Sequence, residues 1–244
     1  MFDIISFCSA SYFSKLEKTL KNWNDQSSVE NIFIYTNEID QSDLNKYKNL
    51  NKVKFIEIFD DDSTCFGINC ARKAESLKYF INNNKFENIL LLDIDCLIVK
   101  DLNNLFKENA NIFVTIYPEV KEKYRTNNIS AGFVALKNCD QIKDFINQWV
   151  ERQKSLHSAP SRDQRALSEL ITNLYKNHND IYKIKLLNGN IYNSHPCNGG
   201  VGYVKEWLHR VKIYKPYILH FSSGTIDNNQ IIDDALIATD NNNA

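Results

Sequence analysis

The sequence lacks the paired cysteines, phosphate-binding glycine motifs and charge excess that mark several large classes of protein. Its six cysteines form no C-x-x-C pair and no zinc-type spacing, so neither a redox dithiol nor a zinc site is indicated. Neither G-x-G-x-x-G nor G-x-x-x-x-G-K-[ST] occurs, which disfavours dinucleotide and P-loop binding. A formal net charge of -1 gives no positive field that would attract nucleic acid.

Long apolar segments are also missing. The stretch Met1–Phe7 has no basic residues and is too short and mixed for a signal peptide. No apolar run approaches the length of a membrane span. We therefore expect a cytoplasmic protein, soluble or peripheral and without a transmembrane segment, in which Cys8 and Cys96 are plain buried thiols. The oligomeric state is left open.

The bulk composition is that of a globular protein. The chain has 244 residues, of which 43% are hydrophobic and 24% charged, enough to build a core. We expect one domain over residues 1–225. Residues 226–244 are rich in Asn and Asp and are predicted to form a polar, flexible tail.

Hydrophobic patterning in the first part of the chain predicts strands that alternate with helices. Strands are predicted at Asp3–Ser9, Asn31–Thr36 and Val53–Ile58, with helices at Tyr12–Trp23 and Ser42–Leu50 between them. This alternation is typical of βαβ units and indicates an α/β protein with a mostly parallel, Rossmann-like sheet.

The same pattern continues through the second part. Further helices are predicted at Asn69–Asn82, Asp140–Leu156 and Ala166–Tyr175, and further strands at Ile112–Tyr117, Ile129–Leu136 and Tyr182–Leu187.

A short apolar run that ends in two carboxylates is the most informative feature. Ile89–Leu92 fits a strand buried on both faces, and Asp93 and Asp95 follow it. Residues i and i+2 of an extended chain point to the same side, so both carboxylates should face the crevice where α/β sheets bind ligands. Oxygen ligands of this kind suit Mg²⁺ or Mn²⁺ together with phosphate oxygens. The alternative is a structural one, because Asp also starts turns after strands.

Two further candidates lie at predicted helix starts. Arg72 precedes the D-x-D strand and could supply a bidentate donor to a diphosphate. Asp163 and Gln164 stand at the start of the helix that is predicted over Ala166–Tyr175. Asp163 and Gln164 also have structural explanations, since Ser161 and Gln164 match a capping box and Asp163 suits the helix dipole.

Small residues and a histidine complete the set. Ala131 and Gly132, in a predicted strand, permit close approach of a ligand or of another strand to the backbone. His220 follows an apolar run and precedes Gly224. If His220 lies beside the two carboxylates, its neutral imidazole would add a nitrogen ligand, and mixed nitrogen and oxygen ligation favours Mn²⁺ over Mg²⁺.

In this order, A-R, D-x-D, A-G, D-Q and H resemble the motifs of the retaining nucleotide-sugar glycosyltransferases of the GT-A fold, especially family 8, with its bacterial galactosyl- and glucosyltransferases and glycogenin. The resemblance runs from the first strand to about Gly224. Ser130 stands where the family usually has Asn, the K-P-W after the histidine is absent, and so is an Asp of the first loop. The resemblance implies the GT-A fold and a metal-dependent hexosyltransferase that uses a UDP-sugar donor.

The resemblance also implies roles for individual residues. Asp93, Asp95 and His220 would hold Mn²⁺ (or Mg²⁺) with the UDP diphosphate. Asp163 would bind a sugar hydroxyl, and Gln164 would lie near the anomeric carbon.

Around these residues, the resemblance implies donor-binding positions. Arg72 would contact the sugar nucleotide, Ala131 and Gly132 would line the donor sugar, and Tyr12 could stack on uracil. Gly224 would belong to the motif that begins with the histidine, with one residue inserted between the two. The pair Tyr192-Asn193 resembles the family's Y-N before the acceptor side. The acceptor would be a glycan, a lipid-linked molecule or a protein.

Two other functions remain open from the sequence. A haloacid-dehalogenase-like phosphatase also carries D-x-D after an apolar strand, but normally near the chain start and followed by a small pair, unlike Cys96-Leu97. A catalytically weak sugar-nucleotide-binding module of the same fold is the second alternative, supported by the missing K-P-W.

Overall fold

The structure is a computed structural model. It describes residues 1–9, 12–13, 16–37, 41–59, 66–116, 128–156, 162–196, 201–221 and 228–240. Ser161, Gly224 and Tyr117, the last residue of a predicted strand, lie outside these ranges, as do residues 226–227 and 241–244 of the predicted tail.

Strands and helices alternate along most of the chain. The strands are β1 (Phe2–Phe7), β2 (Val29–Thr36), β3 (Val53–Glu57), β4 (Asn88–Leu92), β5 (Cys96–Ile98), β6 (Ile112–Ile116), β7 (Ile129–Lys137), β8 (Ile184–Asn188) and β9 (Ile218–His220). The helices are α1 (Leu16–Asp25), α2 (Gln41–Tyr47), α3 (Phe66–Asn83), α4 (Asp140–Ser155), α5 (Arg162–Asn177), α6 (Asn179–Tyr182), α7 (Gly189–Tyr192), α8 (Val201–Tyr214) and α9 (Asn229–Asp240). None of these helices, within the described ranges, is both long and apolar enough to cross a membrane.

Within the described residues, seven strands form the main sheet, in the order β3-β2-β1-β4-β7-β6-β8. Neighbouring strands are parallel except at β7, which runs antiparallel to β4 and β6. The predicted α/β class with a mostly parallel sheet is confirmed. A second, two-stranded antiparallel sheet joins β5 to β9. This small sheet brings a late segment of the chain to the carboxyl end of β4.

The main sheet is covered on both faces, and successive residues of β4 alternate between them. Ile89 and Leu91 pack in the cluster that contains residues of α3, α4 and α5. Leu90 and Leu92 pack in the cluster that contains α1. Burial on both faces explains the continuous apolar run of this strand. The alternation also assigns the next odd position, Asp93, to the side of α3 and α5.

A third apolar cluster joins the small sheet to α8 and α9. It includes Trp207 and Phe221 together with Ile232 and Ala235 of α9. The sequence predicted a polar, flexible tail over 226–244, and the structure corrects this over α9. Ile232, Ala235 and Ala238, which lie at helical spacing, are buried there, although Asn and Asp make up nine of the 19 residues from 226 to 244. Helix α8 had no counterpart in the predicted elements.

Candidate active site

The turn between β4 and β5 fixes the two carboxylates of D-x-D. The backbone N–H of Asp93 donates to the carbonyl of Gly132 at 3.1 Å, and the carbonyl of Asp93 accepts from the N–H of Cys96 at 3.1 Å. The carbonyl of Asp95 accepts from the N–H of Phe221 at 2.8 Å. The backbone of both aspartates is thereby tied to β7, β5 and the segment after β9.

His220 reaches this turn because β9 pairs with β5. In that pair Cys96 lies opposite His220. The imidazole Nε2 lies 3.2 Å from Asp95 Oδ1 and 3.7 Å from Asp93 Oδ2. The structure therefore brings together the three side chains that the sequence analysis gave as metal ligands.

Gly132 lies against the same three side chains. The register of β6 against β7 shifts between Val114 and Thr115, close to this glycine. A Cβ atom at position 132 would lie 2.7 Å from Asp93 Oδ2 and 2.7 Å from His220 Cε1. No side chain fits there without displacing one of them, so a glycine is required by close approach.

Lys73 of α3 is a site residue that the sequence analysis missed. Its Nζ lies 2.8 Å from Asp93 Oδ1 and 3.0 Å from Asp163 Oδ2, and only 13% of its side chain is exposed. It thereby joins the D-x-D turn to the D-Q helix start. A hint was available, since Lys73 and the buried Ser76 form a polar stripe on α3, with Asn69 at the matching spacing.

Burial and neighbouring charges oppose each other at this site. Burial alone would lower the pKa of Lys73, but Asp163 and Asp93 outweigh it and hold the pKa well above its ordinary value. Burial would raise the pKa of Asp93, yet Lys73 and His220 keep it below the ordinary range. Burial would lower the pKa of His220, yet Asp95 and Asp93 raise it. His195 packs edge-on against His220, with ring centroids 4.6 Å apart, and burial lowers its pKa to about 3.

The groups around His220 could hold a divalent ion. Ligand atoms of Asp95, Cys96 and His220 lie within 4.8 Å of one another. Burial raises the pKa of the Cys96 thiol well above its usual value, and thiols bind metals as thiolates. The donor set that fits is therefore the carboxylates of Asp93 and Asp95 with one imidazole nitrogen, which suits Mn²⁺ or Mg²⁺.

Four further predicted residues lie in the part of the chain that the structure describes. Arg72 is buried, and its guanidinium lies 4.7 Å from the ring centroid of Phe59. Ala131 is part of the core. Tyr12 packs against the cluster that contains α1, and Gln164 is half-buried in the first turn of α5. Their contacts with a donor stay predictions.

A family profile described as nucleotide-diphospho-sugar transferase matches residues 57–230. The chain belongs to this family. The match includes the D-x-D turn, the D-Q helix start and His220, and it argues against the phosphatase alternative. A comparison with curated proteins finds no match.

Solved structures of glycosyltransferases share the fold of this chain. The apo-form glycosyltransferase GlyE of Streptococcus pneumoniae TIGR4 superposes with a TM-score of 0.64 at 16% identity, over 96% of this chain. The chain spans 60% of the length of GlyE. The galactosyltransferase LgtC, solved with donor and acceptor sugar analogues, gives a TM-score of 0.57 at 13% identity over 96% of this chain and 95% of LgtC. The predicted GT-A fold resembling family 8 is confirmed.

Proposed function

We propose that this transferase moves a hexose, glucose or galactose, from a UDP-sugar to a hydroxyl of a glycan, lipid-linked or protein acceptor. The proposed reaction depends on Mn²⁺ or Mg²⁺ and retains the configuration of the anomeric carbon. The observation that carries the proposal is the convergence of Asp93, Asp95 and His220, with Nε2 of the histidine 3.7 Å and 3.2 Å from the two carboxylates.

The metal-binding part of the proposal uses the D-x-D turn. Asp93 Oδ2, Asp95 Oδ1 and His220 Nε2 would be the protein ligands. A bound divalent ion would supply positive charge to the diphosphate as the glycosidic bond breaks. Gly132 leaves room beside these ligands because it lacks a Cβ atom.

The donor sugar is proposed to lie near the start of α5. Asp163 would accept a hydrogen bond from a sugar hydroxyl, while Lys73 holds its Oδ2 at 3.0 Å. The amide oxygen of Gln164 would stabilise positive charge at the anomeric carbon, as in other oxocarbenium-like transition states. A solved mutant of LgtC in which an active-site glutamine is replaced by glutamate shows that the active site of that enzyme contains a glutamine. Retention would proceed by attack from the same face.

The other donor contacts come from the family resemblance. Arg72 would contact the sugar nucleotide, Tyr12 would stack on uracil, and Ala131, Gly132 and Gly224 would line the donor. The cytoplasm stays the proposed location. Free cysteines at Cys8, Cys70, Cys96 and Cys139 support a reducing compartment.

The test begins with melting temperatures for a panel of nucleotide sugars, with and without Mn²⁺. A UDP-hexose at 100 times its Kd should stabilise the protein by about 2.7 kcal/mol, or roughly 5–11 °C, only when Mn²⁺ is present. Asp93→Ala should lose this shift, while the matched exposed variant Asp25→Asn should keep it. An Asp93→Ala protein that still binds UDP as tightly with Mn²⁺ would contradict the proposal.

A second assay separates a transferase from a weak binding module. Release of UDP from the UDP-sugar should be measurable with Mn²⁺ in the unsubstituted protein. Gln164→Ala should bind the donor with nearly unchanged affinity but release UDP at least about 100-fold more slowly, as expected for loss of transition-state charge stabilisation. Donor binding without any transfer or hydrolysis would favour the binding module.

A further inference from the structure

A buried chain of polar side chains supports His220 from behind. Asn193 is fully buried after α7, and its Oδ1 lies 3.0 Å from Nδ1 of His220. The backbone of this segment is fastened to β9, because Ser194 N–H donates to Ile218 at 3.0 Å and Ser194 O accepts from His220 N–H at 2.9 Å. The strand that carries the histidine and the residue that faces its ring are therefore held in one register.

The amide of Asn193 is itself oriented by hydroxyls of the main sheet. Its Nδ2 donates to Ser130 Oγ at 2.9 Å and lies 3.5 Å from Thr115 Oγ1. Ser130 Oγ also accepts from the backbone N–H of Gly132 at 3.1 Å. Ser130 and Thr115 are both buried. The path therefore runs from the glycine beside the metal site, through Ser130 and Asn193, to the ring of His220.

This arrangement selects one form of the imidazole. With Nδ2 directed at the hydroxyls, Oδ1 is the atom that meets Nδ1 of His220 and can only accept a hydrogen bond. The ring then carries its proton on Nδ1 and presents the lone pair of Nε2 to Asp93 and Asp95. The hydrogen bond made by one ring nitrogen commonly decides which nitrogen binds a metal.

We propose that Asn193 is a positioning residue that fixes the tautomer and ring orientation of His220, so that Nε2 is the metal-binding nitrogen. This inference deepens the proposed function, because it concerns the same metal site. It predicts that the Nδ1–H form dominates in the metal-free protein. That form is the opposite of what Asp95 alone would favour, since a carboxylate at 3.2 Å from Nε2 would accept a hydrogen bond from Nε2–H and keep the proton on that nitrogen.

The first test determines the tautomer of His220 in the unsubstituted protein. Nitrogen NMR of ¹⁵N-histidine-labelled, metal-free protein distinguishes protonated from unprotonated ring nitrogens. The spectrum is recorded at a pH at which the His220 ring is neutral, because Asp95 and Asp93 raise its pKa above the ordinary value. The His220 signals are assigned by their loss in His220→Gln. Protonation at Nδ1 is the expected result. Protonation of the neutral ring at Nε2 would overturn the proposal, whether or not the protein binds Mn²⁺.

The second test compares variants. Asn193→Leu keeps the branched shape of the side chain but removes the acceptor. It should convert the ring to the Nε2–H form and weaken Mn²⁺ binding by about 10–100-fold, measured by electron paramagnetic resonance of free Mn²⁺. Asn193→Asp retains an acceptor and should keep the Nδ1–H form and bind Mn²⁺ more tightly than Asn193→Leu. Ser168→Ala is the matched control. It removes a buried hydrogen bond to Ile129 of β7, the strand that also carries Ser130, but this bond is not part of the path from Gly132 to His220.

The outcomes separate this inference from the proposed function. Unchanged Mn²⁺ affinity in a folded Asn193→Leu protein, or an Asn193→Asp protein that binds no better than Asn193→Leu, would overturn the positioning role. If the unsubstituted protein binds no Mn²⁺ at all, the metal-dependent function fails, while the NMR experiment still decides the tautomer.

Discussion

Replacing Lys73 with Met should destabilise the protein strongly while leaving most of its packing intact. The ammonium lies 2.8 Å from Asp93 and 3.0 Å from Asp163, and the side chains of the two aspartates are 22% and 3% exposed. Met has a similar length and can occupy the same space. The substitution therefore leaves the buried Asp163 and the partly exposed Asp93 without the positive charge that joins them.

The magnitude follows from this burial. Removing one partner of a buried ion pair costs about 3–5 kcal/mol, because the remaining charge is uncompensated. We expect about 3 kcal/mol at neutral pH, the lower end of the range, since Asp93 keeps His220 3.7 Å away and is partly exposed. For a domain of this size that loss lowers the melting temperature by roughly 6–12 °C.

The pH dependence has a definite sign. The pKa of Asp93 is held below its ordinary value of 3.8, mainly by Lys73 against the effect of burial. That stabilisation is present above the unfolded pKa and is lost as the pH falls through the folded one. The pKa of Lys73 is raised above 10.5, so its contribution is lost only at strongly alkaline pH. The difference in the free energy of unfolding between the unsubstituted protein and Lys73→Met should therefore become smaller as the pH falls through the folded-state pKa of Asp93.

Urea unfolding followed by tryptophan fluorescence measures the difference, because Trp23, Trp149 and Trp207 are all buried. The control is Lys85→Met, which removes an exposed lysine after α3 and should change stability by less than about 0.5 kcal/mol. If Lys73→Met unfolds at the same urea concentration as the control, the two ion pairs do not exist in the folded protein.

Two further substitutions and one deletion have defined outcomes. Gly132→Ala places a Cβ 2.7 Å from Asp93 Oδ2 and His220 Cε1, so it should cost about 1–3 kcal/mol in urea unfolding and weaken Mn²⁺ binding; unchanged binding would place the metal elsewhere. Asp95→Asn should weaken Mn²⁺ binding by more than about 100-fold and move the pKa of His220 down, since Asp95 raises it; an unmoved pKa in an NMR titration would refute this contact. Deleting residues 229–244 should lower the free energy of unfolding by about 2–4 kcal/mol through lost apolar burial around Ile232. An unchanged melting temperature would instead support the flexible tail that the sequence predicted.

Local pattern was sufficient to predict most of the strands and to single out Asp93 and Asp95, beside which the structure places His220. The apolar run before Asp93 is visible because β4 is buried on both faces. Burial on both faces also removes any indication of strand orientation, because a continuous apolar sequence fits a strand that is parallel or antiparallel to its neighbour. The reversed orientation of β7 therefore needed the three-dimensional structure.

The residues that the sequence analysis missed owe their roles to partners far away along the chain. Lys73 follows an arginine on a helix, where exposed lysines are common, and nothing nearby shows that Asp93 and Asp163 will enclose it. Asn193 was noticed only as part of a Y-N pair. Its contact with His220 depends on the pairing of the Ser194 segment with β9, and pairing between distant segments has no local pattern.

The two oxygens of Asp93 point to different parts of the site, and in the proposed function this division would couple metal binding to donor binding. Oδ1 meets Lys73, which also holds Asp163, whereas Oδ2 faces His220. A metal ligated through Oδ2 and a sugar hydroxyl bound by Asp163 would therefore be connected through one carboxylate and one ammonium. Groups that share partners in this way have non-additive effects. Loss of Lys73 should consequently disturb Mn²⁺ binding and donor binding together, even though it need not touch either ligand directly.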